Sequence, residues 1–340
     1  MTVEAKTRIL AALRKTLDEE TGGRAPGNAI GGPWGMVFNE GDTWAMPVQL
    51  SPELSLDLRG LFSDDVVREI LLAASGVKVS RTCLSDAKFE VLQGIAGHHG
   101  FQVVAGGARF ILRPDQGKGG WCNRAERVNR PDGNEGVRNV YIASDASLAE
   151  AARLFEEAGI EDFFGALLGI PRCCREAYEK FQPVAQARQN DFVLIALENT
   201  PGPAPYDFWL NYAAQYFGRS LLSFFPCSFR CPSAVAAAKR TFDLLAGCDA
   251  AWARSFLELQ RTNVLYTENL GLHLFRQPLI DGSICYGTDD VDSTEPTEVA
   301  TLIRRGDRLE VRGKHQVTVY RGSERIGTIE GEDIGMCVFS

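Results

Sequence analysis

Two short cysteine motifs constrain this chain more than anything else in it. The first reads Gly169-Ile170-Pro171-Arg172-Cys173-Cys174-Arg175-Glu176 and the second Phe225-Pro226-Cys227-Ser228-Phe229-Arg230-Cys231-Pro232. Each sets a cysteine pair beside a proline and an arginine, where a helix is about to begin. Proline suits the first helical position, because its missing N–H would lack an intrahelical partner there anyway. The pattern therefore predicts helices opening at Pro171 and Pro232, with Cys173 and Cys174 in a first turn and Cys231 at an N-cap. Helix starts offer free N–H groups and partial positive charge, which favour anions and lower a thiol pKa. Arg172 and Arg230 add to that charge. If the two helix ends converge, three or four thiolates meet at one point.

Four of the nine cysteines fall in these motifs. Met1 to Leu17 is charged and amphipathic, without the apolar run of a secretory signal. No apolar run approaches the roughly 20 residues of a transmembrane helix. The chain therefore reads as cytoplasmic, with no membrane role, and in that compartment a disulfide framework is disfavoured. Metal binding, catalysis and core packing are the readings left for each cysteine. A net charge of −8 and a pI near 5.2 give nucleic-acid binding no support.

Adjacent side chains on a helix diverge by about 100°, which argues against Cys173 and Cys174 both holding one ion. The expectation is three cysteines on a cluster with one position open, or four around a 4Fe–4S cube. A cube spreads its ligands more widely than a single zinc, so an iron–sulfur cluster is favoured and zinc is the alternative. The ligand set is Cys173, Cys174, Cys227 and Cys231. Cys83, Cys248, Cys285 and Cys337 are isolated and read as packing residues, since free cysteine behaves as a small hydrophobe. Cys122 lies in a loop that would fold over the site.

Between the motifs, Asp207, Asn211, Gln215 and Arg219 recur every four residues on a predicted helix, Tyr206 to Phe217. Their neighbours Phe208, Trp209, Tyr212 and Tyr216 suggest a buried helix, whose polar groups then need partners. Glu176, Asp207 and Asn211 are the candidate catalytic residues, to orient a substrate or move a proton. Arg172, Arg230 and Ser228 are the candidate substrate-binding residues.

Other chemistries are excluded by the same pass. Gly117-Lys118-Gly119-Gly120 fails as a phosphate loop, because Leu112 and Gly119 stand where Gly and Ser or Thr are needed. It reads as a mobile surface loop, with a lid as the lesser reading. No histidine-metal, Gly-x-Ser-x-Gly, dinucleotide or radical-SAM pattern is present.

At 340 residues and 45% hydrophobic, the chain is long enough for two or three domains. Periodicity predicts helices over Val3–Glu20, Ser63–Ser75 and Ser85–His98, with Arg24 to Leu50 irregular. A hairpin is expected around Gly106-Gly107, then a long loop from Pro114 and a strand Asn139–Ala143. Helices follow to about Arg261, including Pro171–Phe181, Val184–Asn199, Pro232–Ala246 and Cys248–Arg261. Short strands follow, then an acidic linker from Asp289 to Thr297. Val299 to Ser340 alternates as a small β unit. The fold class is α+β: an N-terminal mixed α/β region over 1–146, a central helical cysteine-motif domain over 147–262, and a C-terminal β-rich region over 263–340.

Leu168-Gly169-Ile170-Pro171-Arg172-Cys173-Cys174 and Pro226-Cys227-Ser228-Phe229-Arg230-Cys231 resemble the two motifs of a prokaryotic domain-of-unknown-function family, number 483. The resemblance covers roughly Tyr141 to Ala246 and implies placement, not an activity. Three functional readings follow from the residues. The first is a cytoplasmic metal-dependent enzyme, iron–sulfur by preference, acting on a small polar or anionic metabolite. The second is a thiol-redox or sulfur-transfer protein with Cys227 or Cys231 as nucleophile. The third is a zinc-stapled binding module that meets a protein partner through its C-terminal β region.

Overall fold

A computed structural model describes residues 50–128 and 136–340. The expected helix Val3–Glu20 and nearly all of the irregular stretch Arg24 to Leu50 lie outside these residues. In chain order come α1 (Pro52–Leu58), α2 (Asp64–Ala74), β1 (Ser80–Leu84), α3 (Asp86–His99), β2 (Gln102–Arg113), β3 (Arg124–Arg127) and β4 (Val137–Ala143). Helices α4 (Ala146–Glu157), α5 (Glu161–Leu167), α6 (Arg172–Ala187), α7 (Val193–Glu198), α8 (Pro232–Cys248) and α9 (Ala250–Gln260) follow. The rest holds β5 (Asn263–Thr267), β6 (Leu272–Phe275), β7 (Ser283–Cys285), β8 (Val291–Ser293), α10 (Glu298–Arg305), β9 (Arg308–Val311), β10 (Gln316–Arg321), β11 (Glu324–Glu330) and β12 (Ile334–Cys337). The class is α+β, as expected. Among the described residues no helix is long and apolar enough to cross a membrane.

The chain divides into two compact units. Of the described residues, one holds 50–58, Val66–Arg109 and Val137–Ile170; the other holds Arg59–Asp65, 110–128, Gly136 and Pro171–Ser340. The cysteine-motif helices and the C-terminal strands thus share a unit.

In the first unit β1 and β4 pair antiparallel, Thr82 opposite Val140. Val79, Tyr141, Ala143 and Leu148 join the alanines of α4 in one apolar core. The sequence offers Ser85 as the cap of α3 and Asp145 or Ser147 as that of α4; Ser85 and Asp145 take the role, each accepting from a first-turn amide. The expected hairpin at Gly106-Gly107 does not form: β2 runs through both glycines as one strand. Neither adopts the left-handed backbone a two-residue glycine turn would use. A Cβ at Gly106 would meet the Asn139 carbonyl at 3.4 Å and the Tyr141 ring at 3.5 Å, ordinary contact distances, so β4 does not require glycine there.

The second unit builds its β part from two four-stranded antiparallel sheets, β11-β10-β9-β7 and β12-β5-β6-β8. A shared core of Leu265, Phe275, Ile284, Leu309, Val317 and Met336 lies between them. The acidic stretch expected to be a linker contains β8, which pairs with β6 from Phe275 opposite Val291 to His273 opposite Ser293. The tail begins with a helix, α10, whose Val299, Ala300 and Ile303 are buried. The β10–β11 hairpin turns at Gly322, whose φ is 59°.

His273 in β6 is fully buried, with Nδ1 2.9 Å from Ser293 Oγ and no hydrogen-bond partner on Nε2 among the described residues. Burial pushes its pKa down from 6.5 to about 4. Between those values the unfolded chain takes up a proton that the folded one refuses. Stability is therefore full above pH 6.5 and falls as pH drops towards 4, by about 3 kcal/mol for this group. Urea unfolding at pH 7 and pH 5 checks this: wild-type protein should lose more stability on acidification than His273→Phe, and equal losses would refute it.

Candidate functional site

Both cysteine motifs open helices. Pro171 is the N-cap of α6, one position earlier than predicted, which puts Cys173 and Cys174 at the second and third helical positions. Cys231 is the N-cap of α8, with Pro232 following it in the first helical position, as predicted. The two helix starts converge. Cys173 Sγ lies 3.5 Å from Cys231 Sγ and 3.9 Å from Cys174 Sγ, and Cys174 lies 3.8 Å from Cys231. With Cys227, all four sulfurs fall within 4.8 Å of one another, close enough to hold a metal ion.

The expectation that Cys173 and Cys174 would point apart is overturned. A helical Cα–Cβ bond tilts towards the N-terminus. Two adjacent side chains in a first turn can therefore lean together beyond the helix end, despite their angular offset around the axis.

Packing beneath the second motif fixes its loop. Phe229 is fully buried, and its amide donates to Thr200 Oγ1 at 2.8 Å. Thr200 follows α7, whose end is held by Lys314: Nζ donates to the Leu197 and Thr200 carbonyls at 2.8 and 2.9 Å. A lysine on the last carbonyls of a helix satisfies acceptors that have no intrahelical donor. The Cys227 amide donates to Cys174 Sγ at 3.4 Å, tying the two motifs directly.

The four thiols share their charge unevenly. Contacts with Cys174, then Cys227 and Cys231, pull Cys173 well below the usual thiol range. Cys231 falls to about 7: its contact with Cys173 pushes it up, and those with Cys174, Cys227 and the Ala234 amide pull it down. Cys174 and Cys227 are pushed up, foremost by Cys173. Negative charge thus settles first on Cys173 and Cys231, and a thiolate is the form a cation binds.

Exposure across the set is graded. Cys173 is exposed, Cys227 intermediate, and Cys174 and Cys231 are buried. A narrow cleft with room for about one water meets Cys174 and Cys227. Tyr178, Phe181, Phe192 and Phe225 wall it, with Tyr178 stacked on Phe192 at 4.8 Å.

The other sequence candidates have structural ties. Arg172 Nε pairs with Glu176 Oε1 at 2.9 Å on the exposed side of α6. Arg230 donates to the Pro203 carbonyl at 2.6 Å and the Pro205 carbonyl at 3.3 Å, and Ser228 Oγ accepts from the Arg230 amide at 3.4 Å. Tyr206 to Phe217 is not the predicted α-helix but two 3₁₀ turns, Phe208–Leu210 and Tyr212–Phe217. Asn211 breaks it: its Nδ2 donates to the Gln260 and Thr262 carbonyls, both at 3.0 Å, while its backbone holds a non-helical ψ of 75°. Asp207 caps the first turn through the Trp209 amide, and Arg219 pairs with Asp64 at 2.6 Å. The four-residue stripe therefore does not form one helical face. Likewise α6 continues through Pro183 to Ala187, past its predicted end at Phe181, and α7 is correspondingly short.

Sequence reasoning missed Lys118. Its Gly-rich loop was expected at the surface, yet the side chain is fully buried. Nζ lies 3.3 Å from Asp191 Oδ2 and 3.6 Å from the centroid of the Tyr266 ring. Burial pushes its pKa down, against the pull of Asp191. Tyr216 donates to the same Asp191 at 2.5 Å, and both carboxylate oxygens of Glu268 are buried without a hydrogen-bond partner among the described residues. Gly117 allows this inward turn, with φ of 78° and a Cβ position only 2.9 Å from the backbone at Asn269 and Gly271. Four glycine-rich positions signalled a loop; nothing in them signalled an acid 73 residues away in the chain.

Comparison with family models, with curated proteins and with solved structures returned no match.

Proposed function

We propose that this chain is a metalloprotein whose four thiolates, Cys173, Cys174, Cys227 and Cys231, hold one tetrahedral ion, zinc or iron. The spacing of the sulfurs carries this reading. A single ion with metal–sulfur bonds of about 2.3 Å needs thiolates about 3.8 Å apart. The three separations of 3.5, 3.8 and 3.9 Å match that edge. A 4Fe–4S cube needs its thiolates farther apart, so the spacing favours a single ion over the cube. The donor set fits equally well: four soft sulfurs suit zinc or iron and disfavour magnesium and calcium. Placement in the unknown-function family 483 rests on the same two motifs.

Catalysis at the centre is the second reading. The exposure of Cys173 supports it, because a closed structural site does not need an exposed ligand. Elemental analysis and a visible spectrum of protein purified without oxygen test the first reading. One zinc or one iron per chain is expected. Protein with four free clustered thiols and no metal would overturn it, as would several irons with equimolar sulfide.

A further inference from the structure

We propose that Cys173 is a redox modification site: peroxide-class oxidants attack it first, and Cys231 then closes on it as a disulfide. The inference rests on the four-thiolate reading only for the release of an ion. The disulfide itself follows from the positions of the sulfurs.

Two observations single out this pair. Cys173 and Cys285 are the exposed cysteines of the nine, so an oxidant in solution reaches either directly. Of these two, Cys173 has thiols beside it: Cys174 Sγ lies at 3.9 Å and Cys231 Sγ at 3.5 Å. That contact is already within reach of a bond after a small side-chain rotation. Cys231 is buried, so it is shielded from the oxidant and available as the resolving thiol.

The chemistry balances with peroxide as the oxidant. The Cys173 thiolate attacks one peroxide oxygen, the O–O bond breaks, and hydroxide leaves with the electron pair, giving a sulfenic acid. The Cys231 thiolate then attacks the Cys173 sulfur, and a second hydroxide leaves as the S–S bond forms. Two thiolates supply two electrons, peroxide accepts them, and two protons from solvent turn the hydroxides into water. The product removes two of the four donors, so a bound ion loses half of its ligands.

The test treats full-length protein as purified with a few equivalents of hydrogen peroxide, then alkylates the remaining thiols. Peptide mapping follows, with fragmentation to separate Cys173 from Cys174, and a chromogenic chelator reports free metal. A Cys173–Cys231 link is expected at low oxidant, with Cys285 still reduced. Cys173→Ser should abolish the link, and Cys285→Ser should leave it unchanged. Oxidation of Cys285 ahead of the cluster, a sulfinic acid on Cys173 without a link, or a link that omits Cys173 would each overturn the proposal. Metal released in step with the disulfide supports it further. A link formed in metal-free protein keeps the redox inference and removes the metal reading, so the two failures are distinguishable.

Discussion

Cys231→Ser protein is expected to lose its metal on dialysis against a weak chelator and to be less stable than wild type by about 2–5 kcal/mol. Cys231 is 3% exposed and its sulfur contacts both Cys173 and Cys174. A serine there offers a poorer donor to a soft ion and leaves three thiolates crowded against one another. Their mutual repulsion is balanced only by an ion, so loss of metal and loss of stability should appear together. Cys174→Ser, at 1% exposure, should behave alike. Cys248 and Cys285 stand apart from the cluster, and their serine variants should keep both metal and stability within about 0.5 kcal/mol. Metal content and urea midpoints measured on the four variants decide the matter. If Cys231→Ser retains full metal, the four sulfurs do not form one centre.

Lys118→Met should cost about 3–5 kcal/mol, the second large effect. The substitution keeps length and apolar stem while removing the charge, so it tests the ion pair rather than packing. It leaves the Asp191 carboxylate buried, at 2% exposure, without its cation. Hydrogen bonds from Tyr216 and from the Val193 amide, at 2.5 and 2.8 Å, remain and keep the loss from being larger. The cation also gives up its seat over the Tyr266 ring, a contact of about 1–2 kcal/mol when desolvated. Asp191→Asn alone should be costly too, since it strands the buried ammonium. The double variant should recover part of either loss, because the Asp191 charge goes with its cation while Glu268 still loses the field of Lys118. A double-mutant cycle by urea unfolding reads the coupling. Near-additivity of the two single losses would show that Lys118 and Asp191 do not act as a pair.

The contrast between these two sites shows what was legible in the amino-acid order. The cysteine centre was legible because its geometry is set by local signals: a proline that starts a helix, and thiols at fixed offsets from it. Two such starts needed only to meet. The N-caps at Ser85 and Asp145 were readable for the same reason. The Lys118–Asp191 pair has no local signature, since its partners come from a glycine loop and from the turn before α7. Asn211 misled in the same way: four-residue spacing implied a helix, but its amide is bound to carbonyls some 50 residues on, and that tertiary contact fixes a non-helical backbone. At Gly106-Gly107 the composition favoured a turn, yet β2 runs straight through both glycines. Local chemistry was reliable where local forces dominate and failed where a buried long-range bond outweighs them.

The two halves of the cysteine centre come from positions 53 to 58 residues apart. An ion that joins them closes a loop through α7, the two 3₁₀ turns and their aromatic side chains. In the unfolded chain, a permanent cross-link over a loop of this length would remove conformational freedom equivalent to about 4 kcal/mol. A thiolate-bound ion acts as such a link for as long as it stays bound, whether or not it makes any native contact stronger. Metal that binds the unfolded chain through both motifs would therefore shorten the search for Phe192, Tyr212 and Phe225 to find one another. Much of what a bound ion does for this fold is done before the fold exists.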